Sequence, residues 1–232
     1  MLLGRDRSSQ NQDVVFRVPE RIPIFPLPNL VFYPDTFLPL HIFELRYRAM
    51  VMDAVAGGQC IGMALLKDGW ESDYYGNPPI FPLGCVGRLI RVEQLPDDRY
   101  NILLQGLERY EIRQEIFDKR YREAQIVLKP RQVAGAESSR AETLTPALRE
   151  ALRRAAAADV HPHRDQRLRQ TLLEDRLSDE RLVNSLSGYL DFTPLEQQFL
   201  LEAESLQQQA RRLLDLLDLR HLDLAQGKGS RA

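Results

Sequence analysis

The chain has 232 residues and 44% hydrophobic content, enough for a proper core and for one large or two small domains. Its 31 basic and 33 acidic residues nearly cancel, which gives no general pull toward nucleic acid or an anionic membrane. Cys60 and Cys85 stand apart in apolar surroundings, which favours buried free thiols over a disulfide framework, and no run reaches the roughly 20 apolar residues of a bilayer span.

In chain order, residues 1–20 read as a flexible polar arm without a signal peptide, so a cytoplasmic protein is expected. Residues 22–50 are stepped by prolines at 23, 26, 28, 34 and 39 between aliphatic and aromatic residues. Proline lacks the N–H and fixes φ, so short extended pieces are expected there and no central strand. After Pro39, Phe43, Tyr47 and Met50 follow a helical spacing, giving a helix over about 43–56 ended by Gly57-Gly58. Phe32, Tyr33 and Phe37 are expected in the core by their apolar context.

The polar segment 67–77 is a loop carrying Trp70, Tyr74 and Tyr75. Val86, Ile90 and Val92 form one apolar row of a strand, turned at Pro96-Asp97-Asp98 into a second strand from Tyr100. Tyr110, Ile112 and Ile116 alternate with charged residues, and 122–128 reads as a further strand stopped by Pro130. Residues 130–144 read as a linker. Beyond it the chain is helical over 145–222: Thr145-Pro146, Ser178 and the capping box Thr193-Pro194-Leu195-Glu196 each open a helix, and Leu206, Ala210, Leu213, Leu214 and Leu217 line a final one. Residues 223–232 read as a flexible tail. The fold class is therefore α+β, a β-rich unit over 21–129 followed by a helical bundle.

Phrases along most of this chain resemble the amino-terminal substrate-binding domain of Lon proteases, a domain also found in cereblon and in stand-alone bacterial proteins. They are Pro23-Ile24-Phe25-Pro26-Leu27-Pro28-Asn29, Phe32-Tyr33-Pro34, Leu38-Pro39-Leu40-His41-Ile42-Phe43-Glu44 with Arg46-Tyr47, Val86-Gly87-Arg88, and Leu104-Gln105-Gly106-Leu107-Glu108-Arg109. Thr193 to Glu196, Leu200 to Ala203 and the leucine-rich run 206–217 resemble its closing helices. The resemblance runs from about residue 21 to 222. It implies a PUA-like, partly open β-barrel followed by a helical domain, with Pro26, Pro28, Pro34, Pro39, His41, Phe43, Glu44, Arg46, Tyr47, Gly87, Gly106 and Arg109 as structural motif residues.

No catalytic residue, metal site or cofactor site is expected. No phosphate-cradling Gly-x-x-x-x-Gly-Lys-Ser/Thr loop occurs, and none of the four lysines sits in a serine–lysine peptidase motif. His41 and Glu44 read as capping or orienting groups at the helix entrance, Glu44 with Arg46 or Arg48 as a structural ion pair, and His161-Pro162-His163 as a turn lacking further zinc ligands. For Trp70, Tyr74 and Tyr75 two readings stand: exposed anchors for a peptide, or rings folded back over the barrel. The function expected is a non-enzymatic module binding unfolded or degron-like protein segments, as an adaptor to a protease or other partner. The alternatives are an RNA-binding PUA-like protein, against which the charge balance argues, a hydrolase named by homology, and a structural or assembly protein.

Overall fold

A computed structural model describes residues 16–131, 143–159 and 177–229. Six strands make one sheet: β1 (Arg21–Leu27), β2 (Phe37–Ile42), β3 (Cys60–Leu65), β4 (Leu83–Gln94), β5 (Tyr100–Ile116) and β6 (Glu123–Leu128). The order is β2-β5-β4-β3-β1-β6, and β6 also pairs with the second half of β5. That pairing curls the sheet into a partly open barrel, with β2 attached outside along the first half of β5. All neighbours are antiparallel except β1 and β3.

The prolines do not keep β1 at an edge. It lies between β3 and β6, which corrects the expectation that no central strand could pass here. The reason is that its two halves use different sides: Arg21–Pro23 pair with β6 and Ile24–Leu27 with β3. Each proline therefore has one side on which no N–H is demanded. Pro39 follows the usual rule, since β2 pairs only with β5.

Helix α1 (Leu45–Ala56) starts two residues later than its periodicity suggested and buries Tyr47, Met50, Val51 and Ala54. Phe43 lies outside it and is exposed. Strands β4 and β5 form the expected hairpin, but their register slips between Leu89 and Arg91. The slip buries Leu89 and leaves Ile90 and Val92 exposed, breaking the single apolar row. The segments expected as two strands, from Tyr100 and around Tyr110, are one continuous β5.

The helical half holds α2 (Pro146–Asp159), α3 (Asp179–Tyr189), α4 (Pro194–Leu201) and α5 (Leu206–Gly229). Ser178 accepts a bond from the Arg181 N–H, and Thr193 with Glu196 forms the full capping box. Helix α5 continues through residues 223–229, past the point where a flexible tail was expected. Most of the expected 130–144 linker and the His161–His163 turn lie outside the described residues. Within the expected N-terminal arm, Phe16 and Val18 pack on the barrel, and Arg88 stands 4.3 Å over the Phe16 ring.

The two halves share a core. Val31, Tyr33 and Leu65 of the barrel side pack with Leu182, Leu186, Leu200 and Leu213 of the helices. Tyr33 donates to the Gln197 carbonyl at 2.6 Å, and Gln198 donates to the Leu83 carbonyl at 3.1 Å. Gly106 admits this approach, because a Cβ there would collide with the Tyr33 carbonyl. Phe32 and Tyr33 are core as expected, whereas Phe37 is 42% exposed because it begins the outlying strand β2.

Both cysteines are buried free thiols. Burial pushes the Cys60 thiol up to about 11 and raises that of Cys85 well above its ordinary value. The thiolate is the reactive form, so the native protein is expected to resist Ellman's reagent while urea-unfolded protein titrates both groups. Prompt reaction of either thiol in native buffer would contradict this packing.

Candidate functional site

Gly69, at φ +85°, turns the chain into a short 3-10 turn over Trp70–Asp73, a conformation that favours glycine. The turn is held from within: Ser72 donates to the Gly69 carbonyl at 3.0 Å and Asp73 accepts from the Asn77 N–H at 3.2 Å. Trp70, Tyr74 and Tyr75 then meet edge to face, with centroids 5.6 and 5.1 Å apart. The rings of this trio differ in exposure. Trp70 folds onto the barrel core, whereas Tyr75 is 87% exposed.

What fixes the loop is the start of α1. Tyr74 donates its hydroxyl to Glu44 Oε1 at 2.7 Å, and Arg46 Nε donates to Glu44 Oε2 at 3.0 Å. Arg46 Nη2 also reaches the Tyr74 carbonyl at 3.2 Å. The guanidinium lies 4.6, 5.2 and 5.9 Å from the rings of Tyr47, Tyr74 and Tyr75. Burial, then the bond to Glu44, raises the Tyr74 phenol above its ordinary value. The expected Glu44–Arg46 ion pair is present, and it props the aromatic loop; Arg48 turns instead to Asp98 at 3.3 Å.

His41 and Glu44 do not act together. His41 lies on β2, not at the helix entrance, with Nδ1 2.8 Å from Asn101 Oδ1 and Nε2 3.2 Å from Arg99. Glu44 occupies the N-cap position of α1 but makes no side-chain cap bond, because its carboxylate is committed to Arg46 and Tyr74.

Between this loop and the β5–β6 connection lies a cavity of about 150 Å³, walled by Tyr47, Tyr74, Tyr75, Phe117 and Tyr121. Arg46, Lys119, Arg120 and Arg122 also line it. Lys119 donates to Asp53 Oδ2 at 2.8 Å, and the Tyr121 hydroxyl meets the same oxygen at 2.5 Å. The bonds from Lys119 and then Tyr121 hold the Asp53 carboxyl below its usual range, so this clamp is intact at neutral pH and fails only on acidification through that lowered value. Arg122 donates to the Pro78 carbonyl at 2.8 Å and pairs with Glu115 at 3.2 Å.

The segment from Phe117 to Arg122 carries no functional expectation in the sequence, where 117–121 is unassigned and Arg122 opens the strand read over 122–128. Its signal is local: two aromatics and three cations within six residues, the type of mixed surface that recognition sites favour. Several of the remaining motif residues pack within the fold. Pro26 is buried in β1, Pro28 and Pro34 flank the crossing to β2, and Gly87 sits against Phe32. Arg109 reaches the carbonyls of Leu201 and Ala203 at the end of α4. Among the described residues no cluster of three or more His, Cys, Asp or Glu could hold a metal ion, and no helix is long and apolar enough to cross a membrane.

A β-rich, partly open barrel joined to a helical half, matched over residues 21–218 by the ATP-dependent protease La (LON) substrate-binding domain, places this chain in that family. In architecture it is similar to the N-terminal domain of a Mycobacterium avium complex Lon protease, at TM-score 0.63 and 18% identity, covering 85% of this chain and 98% of that one. It is also similar to a Lon N-terminal domain protein from Xanthomonas campestris, at TM-score 0.59 and 22% identity over 85% and 97% of the two chains. Among full-length relatives, Lon protease 2 of Myxococcus xanthus is 30% identical over 109 residues, 47% of this chain and 13% of that protein. The Lon protease of Trichlorobacter lovleyi is 27% identical over 209 residues, 88% of this chain and 24% of the relative. The chain thus spans a quarter or less of these two relatives.

Proposed function

We propose that this chain is a non-catalytic peptide-binding module of the cytoplasm that recognises unfolded or degron-like protein segments and presents them to a protease or another partner. The observation that carries the reading is Tyr75, a large ring left 87% exposed beside a walled cavity and set against Tyr74, which Glu44 and Arg46 hold in place. Phe117, 52% exposed, stands across that cavity. An aromatic pair on a propped frame offers apolar area with little entropy left to lose, which is what a peptide anchor requires.

Fluorescence anisotropy with labelled unfolded-protein peptides tests this. Tyr75→Ala and Phe117→Ala are each expected to weaken binding about tenfold, a loss of about 1.4 kcal/mol, with little change in melting temperature because both rings face solvent. Undiminished binding by the double variant would move the site elsewhere, to the cleft lined by Phe37 and Tyr189 in the first instance.

A further inference from the structure

The aromatic walls account for only part of the cavity. Four cations, Arg46, Lys119, Arg120 and Arg122, also line it beside neutral residues, and no carboxylate does. Three of them are held from behind, Arg46 by Glu44 at 3.0 Å, Lys119 by Asp53 at 2.8 Å and Arg122 by Glu115 at 3.2 Å. Arg120 has no ion-pair partner among the described residues. Arg122 is the telling group. Its side chain is only 4% exposed, and its buried Nε has no hydrogen-bond partner. An unmet buried donor on a charged group is costly and calls for a physical account.

We propose that this cavity is a carboxylate subsite, which accepts an anionic carboxyl group of a bound peptide while a neighbouring apolar or aromatic residue of that peptide packs on Tyr75 and Phe117. The proposal rests on the peptide-binding reading of the same site. A guanidinium fork matches a planar carboxylate, and the exposed Arg120, without an ion-pair partner among the described residues, supplies uncommitted donors beside Arg122. The carboxylates behind the other cations keep the local field modest, so the site suits a monoanion bound by directed hydrogen bonds rather than a phosphate dianion or a polyanionic nucleic acid strand.

Four labelled peptides of one aromatic-containing sequence distinguish the sources of the anion: internal Asp with an amidated C-terminus, the Asn isostere amidated, the Asn isostere with a free C-terminal carboxylate, and a phosphoserine version. A parallel titration of ¹⁵N-labelled protein with acetate follows the Arg122 Nε–Hε resonance, which reads the subsite without any peptide. At least one carboxylate peptide is expected to bind about tenfold tighter than the amidated Asn peptide, Arg120→Gln is expected to narrow that gap, and acetate is expected to shift the Arg122 signal. Whichever carboxylate peptide gains shows whether the group is a side chain or a chain end. Equal binding of all four peptides overturns the subsite and leaves the peptide-binding reading standing. Preference for phosphoserine over both carboxylates also overturns it. An acetate-induced shift without binding of any peptide supports the subsite and overturns the peptide reading, so the two failures are distinct.

Discussion

Replacing Arg109 with alanine is expected to detach the helical half from the barrel and to cost about 2–4 kcal/mol of stability, from lost charge-assisted bonds and stranded buried carbonyls. Arg109 lies on β5, deep in the barrel sequence, yet its Nη1 donates to the carbonyls of Leu201, at 3.0 Å, and Ala203. Those acceptors lie at the C-terminal end of α4, where unpaired carbonyls concentrate negative partial charge. Burial pulls the guanidinium's pKa below its ordinary value, and the nearby Arg131 adds to this, so the group is itself costly to keep inside. Its removal nevertheless leaves the carbonyls in the dry junction with nothing to accept from. Urea unfolding is expected to show a midpoint lowered by about 1 M or more for Arg109→Ala, given typical slopes for chains of this size. Arg109→Met, which refills volume but donates nothing, should recover only part of the loss. Hydrogen exchange should show protection lost first in α4 and α5 while β3 and β4 keep theirs. A midpoint matching that of the unsubstituted protein would show that the shared apolar core around Tyr33 and Leu182 holds the halves together without this residue.

The second large effect is expected at Arg46, on binding rather than on stability. Arg46→Ala removes the bond to Glu44, the bond to the Tyr74 carbonyl and the cation beneath three aromatic rings. These contacts are partly exposed, so their loss is expected to cost only about 1 kcal/mol of fold stability. The loop carrying Tyr75 would still close on itself through Ser72 and Asp73, but only the Tyr74–Glu44 bond would remain to tie it to the start of α1. A peptide would then have to order the loop as it binds, and affinity is expected to fall about tenfold or more. Arg46→Lys should not restore it, since an ammonium cannot bridge the Glu44 carboxylate and the Tyr74 carbonyl with a planar fork. Anisotropy titrations beside thermal melts of both variants separate the two quantities. Peptide affinity unchanged in Arg46→Ala would mean that the aromatic loop is not the anchor.

The contrast between these two arginines shows how far the sequence could be read. Both belong to the family phrases, and both look like scaffold on paper. In space Arg109 ties the barrel to the end of α4, and Arg46 ties α1 to the aromatic loop. Sequence order separates Glu44 from Tyr74 by 30 positions, and no periodicity links a helix start to a remote polar loop. The same limit hid the contribution of 117–122, which reaches the cavity only because β5 and β6 bring their connection beside the loop.

The sequence by itself determined the elements whose causes are local. The caps at Ser178 and Thr193, the leucine stripe of α5, the hairpin turn at Asp97-Asp98 and the α+β class all follow from propensities and periods acting over a few residues. Through the ordered phrases from Pro23 to Leu217 it also identified the family. It could not decide the exposure of Phe37, the central place of the proline-bearing β1, or the bulge that turns out Ile90 and Val92. Each of those depends on which strand lies alongside, a long-range pairing settled by the closure of the barrel. The tertiary structure alone decided that Trp70 faces in and Tyr75 faces out, because the barrel core that Trp70 packs on, and the Glu44 and Arg46 that hold the intervening Tyr74, meet the loop only when the chain is folded.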